Sequence, residues 1–296
     1  MNYSDTIQFG TRILEAAGIS EAALDARLLL EFVTGCTYAD VLTYPDTEVS
    51  GEQAALYEKY IHERASHVPY SHITGICEFM GLEFFVNEHV LIPRQDSECL
   101  VEEAMRYVFD GSEILDLCTG SGCLLISLVH YKNNCHGVGV DISEEALAVA
   151  RRNADVRKAH GQPGEGDIEF YAGDLYEALP RQTTNYDVII SNPPYIRSDV
   201  IPTLMPEVRD HEPVIALDGG TDGLEFYRRI IDGAGSYLRR EGLIFLEIGY
   251  DQAEAVTDLL ADKGFTDINV VKDLSGNDRV VSARHARKIK PDSCEG

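Results

Sequence analysis

From residue 112 onward, short apolar strand candidates alternate with helix-like stretches, and nothing else in the sequence narrows the fold as much. The strand candidates are Glu113–Leu117, Gly137–Asp141, Ile168–Tyr171, Tyr186–Ser191, Leu243–Ile248 and Ile268–Val271. Between them lie Leu124–His130, Ser143–Asn153, Leu224–Leu238 and Gln252–Lys263, which read as helices. A helix between two strands returns the chain to the same end of the sheet, so the strands run mostly parallel and helices cover both faces. The expectation is an α/β, doubly wound, Rossmann-like sheet without internal repeats.

The chain ahead of this region has a different character. Residues 1–68 read as a small helical bundle, with apolar positions such as Ile13, Leu14, Leu28, Leu29 and Leu30 near helical spacing. Gly18 and Gly35 stand where helices can stop, and Ser50-Gly-Glu-Gln53 has the form of a capping box. Residues 69–95 read as a hairpin and linker: Pro69 and Gly75 break helix, and Glu78–Val86 is apolar and aromatic around Gly81. The α/β domain is expected over residues 96–286, with a surface loop at Gly161–Asp167 and a disordered tail over 287–296.

Composition limits the function classes. Among 296 residues, 44% are hydrophobic, and no run approaches the roughly 20 apolar residues of a membrane helix. The N-terminus has neither the basic flank nor the apolar core of a secretion signal. Seven cysteines occur with irregular spacing and no C-x-x-C, so reduced thiols in the cytoplasm are expected, with neither a disulfide framework nor a metal site. A net charge of −25 opposes phosphate backbones. The basic cluster Arg284–Lys290 reads as a solvated terminus, and the substrate is expected to be a small molecule or a protein.

Asp116-Leu-Cys-Thr-Gly-Ser-Gly122 follows the first strand and opens a helix, where a glycine turn lets backbone approach a ligand. A dinucleotide fingerprint would need glycine at Leu125, and a P-loop would need G-K-[ST]; both are missing. Asp116 would repel a pyrophosphate but suits the ammonium group of S-adenosylmethionine (SAM), directly or through water. Asp141 ends the next strand, where a carboxylate can accept from two ribose hydroxyls. Gly173-Asp174 follows the third strand, where an adenine would lie. Singly, Asp141 and Asp174 could also be helix caps. Ordered on three consecutive strand ends, they favour a SAM site.

Ser191-Asn-Pro-Pro-Tyr195 follows the apolar strand Val188–Ile190. Two prolines stiffen the turn, so the Asn192 side-chain oxygen and the Pro193 carbonyl can both face one substrate NH2 group. Tyr195 offers a flat apolar face to a planar group. Such acceptors would orient an amide or aryl amine and favour charge on its nitrogen as a methyl group arrives. An amide or amine N-methyltransferase is therefore expected.

The sequence resembles the HemK/PrmC family, the protein-(glutamine-N5) methyltransferases of peptide-chain release factors, over about residues 5–285. The resemblance rests on Ile73–Gly75, Glu78-Phe79, Leu91–Arg94, Asp96–Glu98, Asp116–Gly122 and Asn192–Tyr195. Further on it rests on Glu207-Val208, Glu212-Pro213, Ala216–Gly220, Asp222–Leu224, Glu247–Gly249 and Asp273–Gly276. One departure is Cys118, where the family commonly has glycine. The resemblance implies a seven-stranded SAM-dependent methyltransferase domain behind a helical substrate-recognition domain. It implies methylation of the glutamine in the GGQ motif of release factors, which modulates translation termination. Cofactor contacts are expected from Asp116, Cys118, Thr119, Gly120, Ser121, Gly122 and Asp141, with Asp174 and Leu175 at the adenine edge and Asn192 between donor and substrate. Asn192, Pro193, Pro194, Tyr195, Arg94 and Glu98 are the expected substrate contacts, and Asn192, Pro193 and Tyr195 the catalytic ones. The expected partner is a release factor, bound by a monomer without nucleic acid or membrane. The alternative is a nucleic-acid N-methyltransferase acting on adenine or guanine. A short, non-basic extra domain opposes it, and the intact Asn192–Tyr195 opposes a non-catalytic SAM-binding protein.

Overall fold

The computed structural model describes residues 1–159, 166–180 and 185–286. The tail 287–296 and all but the end of the loop 161–167 lie outside them. The chain forms two compact units, Met1–Ile76 with Leu204–His211, and Cys77–Thr203 with the chain from Glu212 onward.

The first unit is helical: α1 (Tyr3–Ala16), α2 (Ala22–Thr34), α3 (Tyr38–Thr43), α4 (Gly51–Ala65) and α5 (Tyr70–Thr74). Leu14, Leu29, Leu30, Tyr57 and Ile61 are fully buried at its centre. The expected punctuation is present. Gly35 caps α2 at φ 72°, and the Ser50 and Gln53 side chains each bond the other's backbone N–H. The segment Leu204–His211, far along the chain, belongs here through a buried ion network. Arg64 Nε donates to Asp25 (2.7 Å), while its terminal nitrogen and His67 reach Glu207 (3.1 and 3.2 Å). No local pattern announces a pairing between residues 143 positions apart.

The second unit begins with a hairpin, β1 (Ile76–Phe79) and β2 (Leu82–Phe85), whose first residue closes the first unit. Its turn residues Met80 and Gly81 both have positive φ (53° and 67°), the two-residue turn whose twist matches the strands. Helix α6 (Glu98–Met105) follows, then β3 (Glu113–Leu117), α7 (Cys123–Tyr131), β4 (His136–Asp141), α8 (Glu144–Ala159), β5 (Asp167–Ala172) and β6 (Tyr186–Ser191). Beyond the short α9 (Pro206–Arg209) of the first unit come α10 (Glu225–Tyr237), β7 (Leu238–Glu247), α11 (Ala253–Asp262), β8 (Thr266–Lys272) and β9 (Asp278–Arg284). The seven strands order as β5-β4-β3-β6-β7-β9-β8, parallel except for β9, which runs antiparallel to both neighbours.

Alternation within the strands supplies both cores. Leu115, Leu117 and Ile189 pack with Tyr227, Ile230 and Leu260 on one face. Ile114, Val188 and Ile190 pack with Leu100, Leu125 and Leu128 on the other. Six of the seven strands were legible as apolar runs. The seventh, β9, has only Val280 and Val281 as large apolar residues between charged ends, and a single sequence hides it. Strand β7 also begins earlier than expected, at Leu238. Its pairing with β6 jumps from Tyr186–Leu238 to Val188–Leu243, and Glu241 has φ 64°. The bulge and its charged residues disguise the first half of the strand as a helix end.

Candidate active site

The sheet register places the functional segments side by side. Leu117 at the end of β3 pairs with Val140 of β4 and with Ser191 of β6, and Asp141 pairs with Ala172. The residues that follow these strands therefore leave the sheet along one edge. Chain order runs outward from β3 to β5, then restarts at β6 on the other side. The resulting crevice at the strands' carboxyl ends is where doubly wound folds bind ligands.

The loop after β3 takes three left-handed turns, at Cys118 (φ 60°), Gly120 (φ 55°) and Gly122 (φ 79°). A Cβ on Gly120 would meet nothing within 4 Å, so the backbone here faces open space. On Gly122 it would meet Ile126 at 2.9 Å, so that glycine allows the helix to start against the sheet. Asp116 is fully buried; its Oδ2 accepts from the Thr119 hydroxyl (2.6 Å), and its Oδ1 has no partner. Burial pushes its carboxyl up to about 8, against the Thr119 bond. Asp141 accepts from the backbone N–H of Gly120 and of Ser143, both at 2.9 Å, which ties the loop to β4. Burial raises its carboxyl while these bonds lower it. Ser143 itself caps α8 by accepting from Ala146 N–H (3.0 Å).

The Asn192–Tyr195 segment is braced from behind by backbone. Ile196 N–H donates to Leu217 and Gly219 N–H donates to Ile196, at 2.9 and 2.8 Å. A Cβ on Gly219 would stand 2.7 Å from Tyr195 Cα, and one on Gly223 2.5 Å from the Tyr195 carbonyl. Gln252 Nε2 donates to both the Tyr195 and Gly223 carbonyls (3.0 and 3.2 Å). The Ala216–Gly220 and Asp222–Leu224 motifs thus work by close approach to this turn.

One cavity brings together Cys118, Thr119, Gly120, Ser121, Asp141, Asp174, Leu175, Asn192, Pro194 and Arg94. Asp116, Gly122, Pro193, Tyr195 and Glu98 are not among its lining residues. Tyr195 turns its phenol to Glu247 (3.4 Å), and Glu98 accepts from the Met80 N–H of the hairpin (2.7 Å). Arg94 pairs with the buried Glu212 (2.6 Å). The cavity also takes in Ser97, Ile142, Phe226 and Arg229, which sequence reading did not single out. Arg229 pairs with Asp174 (2.7 Å) across 55 positions, and only the Asp96–Glu98 motif carried a signal, for Ser97.

The donors present fit SAM. An open glycine turn lies beside Asp141, a cavity-lining carboxylate that keeps lone pairs after its two backbone bonds. Residues 109–244 match the family described as methyltransferase domain. A methyltransferase structure from Pyrococcus furiosus has the same fold, with a TM-score of 0.53 at 18% identity, covering 81% of this chain and all of that one. The fold is that of a SAM-dependent methyltransferase domain. Residues 5–75 match the PrmC N-terminal domain family. The release factor glutamine methyltransferase of Caulobacter vibrioides is 41% identical over 270 residues, covering 90% of this chain and 91% of its own length. That of Clostridium acetobutylicum is 40% identical, covering 88% and 90%. The chain belongs to the release factor glutamine methyltransferases.

Proposed function

We propose that this chain transfers a methyl group from SAM to the side-chain amide nitrogen of a glutamine in a peptide-chain release factor. The observation that carries this reading is that Asn192, at the end of β6, lines the same cavity as the Cys118–Ser121 loop and Asp141. SAM supplies an electrophilic methyl group on a sulfonium centre. Asp141 would hold the ribose hydroxyls when SAM is bound, beside the Cys118–Ser121 loop. An amide nitrogen is a poor nucleophile because its lone pair is delocalised. Asn192 Oδ1 and the Pro193 carbonyl accept from its two N–H groups, which orients the nitrogen and favours positive charge on it as the bond forms. Pro194 and Arg94 border the substrate's approach.

The glutamine is that of the release factor's GGQ motif, and the helical N-terminal unit recognises that protein. A monomer acting in the cytoplasm without nucleic acid fits the net charge of −25 and the six free cysteines among the described residues. No helix among the described residues is long and apolar enough to cross a membrane.

Replacing Asn192 by alanine tests the reading. The variant is expected to keep its circular dichroism spectrum. Turnover is expected to fall roughly 10²–10³-fold, the typical effect of losing one preorganised polar contact. A folded variant with near wild-type turnover would remove Asn192 from the mechanism.

A further inference from the structure

The turn after β5 needs support from elsewhere in the fold. Leu175 is buried there at φ 49°, in the left-handed region that is costly for a leucine, so contacts must hold it. One stripe of α10 supplies them. Tyr176 donates its hydroxyl to the Ile230 carbonyl (2.8 Å) and stacks on Tyr237, with ring centroids 4.5 Å apart. A Cβ on Gly233 would stand 2.4 Å from Tyr176 Cε2, so this glycine, unfavourable in mid-helix, makes room for the ring. Arg229 Nη2 pairs with Asp174 Oδ2 at 2.7 Å, and its guanidinium carbon lies 5.8 Å from the centre of the Phe226 ring. Positions 226, 229, 230, 233 and 237 fall at the three- and four-residue spacing of one helix face.

Within this contact the Arg229–Asp174 pair adds little to stability. The two side chains are 38% and 40% exposed, and exposed ion pairs contribute little to folding. Nor is Asp174 a helix cap, since its side chain makes no capping bond to the short helical turn Leu175–Ala178. The pair does border the ligand space, because Asp174, Leu175, Phe226 and Arg229 all line the one cavity. A carboxylate paired through one oxygen with a guanidinium loses its freedom to turn about its Cβ–Cγ bond. Its other oxygen keeps lone pairs for a second donor. The donor that SAM brings to the adenine end of the cavity is the exocyclic amine of its purine.

We infer that Arg229 is a positioning residue for the cofactor. By holding Oδ2 of Asp174, it leaves Oδ1 fixed as the acceptor for the adenine amine, so that α10 determines which purine the cavity prefers. This rests on the SAM reading of the cavity, with Asp174 at the adenine edge.

The test is calorimetric binding to the full chain of S-adenosylhomocysteine, the demethylated cofactor, and of its analogue with hydrogen in place of the purine 6-amino group. The wild type is expected to prefer the amine-bearing ligand roughly 10- to 100-fold, the range for a hydrogen bond to a charged acceptor. Arg229→Met keeps an apolar stem beside Phe226 but has no donor. It should retain its circular dichroism spectrum, with the preference reduced to about threefold or less through weaker binding of the amine-bearing ligand alone. Arg229→Lys, which restores a cation, should recover part of the preference, and Asp174→Ala should abolish it. If Arg229→Met keeps the wild-type preference, or weakens both ligands equally, while Asp174→Ala abolishes the preference, the inference is overturned and Asp174 stays at the adenine edge. A wild type without preference, or an Asp174→Ala variant that keeps it, removes Asp174 from that edge and the inference with it. A wild type that binds neither ligand overturns the SAM reading itself.

Discussion

The residues proposed to carry the chemistry stand at strand ends, and Asp141 has a structural duty as well. Asp141 accepts from Gly120 and Ser143 N–H groups while it lines the cavity, so the carboxylate that shapes the loop is also the one proposed to hold the ribose. Asp141→Ala removes both. Two charge-assisted bonds are worth roughly 1.5–3 kcal/mol each, so SAM affinity should fall about 10²-fold or more by calorimetry. Unchanged affinity would contradict the ribose assignment. Asp141 and Asn192 were legible because Asp141 is the last residue of β4 and Asn192 directly follows β6. Cys118 was legible as a departure, and its φ of 60° shows why glycine suits that place, since a side chain there is strained. Arg229 and Gln252 were not legible. Their partners, Asp174 and the Tyr195 carbonyl, lie 55 and 57 positions away, and nothing near either residue points to them.

Among elements, the turn after β6 is shaped by a segment that never enters the reaction. Gly219 packs its backbone on Tyr195, and a methyl group there would stand 2.7 Å from Tyr195 Cα and 2.8 Å from the Pro194 carbonyl oxygen. Backbone cannot yield as a flexible side chain can, so Gly219→Ala must displace the turn. Turnover should drop on the order of 10²-fold, as for a displacement of about 1 Å. SAM affinity should hold, because the loop after β3 is untouched. Equal losses of both would show that the turn and the cofactor loop move together. Most elements could be read from the sequence because their pattern is local: six strands as apolar runs, the α4 start as a capping box, the hairpin from Gly81. Strand β9 was not, because its apolar content is two valines and its place in the sheet is set by β7 and β8. Residues 204–211 fall in the helical unit through Glu207 and Arg64, a pairing that no reading along the chain supplies.

The whole molecule carries 50 acidic against 25 basic residues, and several acids are buried among the described residues, Asp116 and Glu247 being the least exposed. Asp116 is raised from 3.8 to about 8 and Glu247 from 4.5 to about 7, chiefly by burial. A raised folded value means that the neutral form is preferred in the fold. The stability from this preference is complete below about pH 4 and is lost as pH rises through 7 and 8. Asp116→Asn, neutral throughout, should therefore melt less steeply than the wild type between pH 6 and 9 in the absence of SAM. A gap of about 1 kcal/mol or more should open at pH 9, since each tenfold change in proton affinity between the folded and unfolded chain corresponds to about 1.4 kcal/mol. Parallel melting curves would place the Asp116 proton elsewhere. The same acidic field opposes a phosphate backbone, which bears on the proposed substrate. Incubation of the purified chain with labelled SAM and a purified release factor, followed by mass mapping of the GGQ peptide, addresses this most directly. One methyl group on the glutamine side-chain nitrogen is predicted, with duplex DNA unlabelled in a parallel reaction. Label in the DNA, with an unmodified GGQ peptide, would contradict the account.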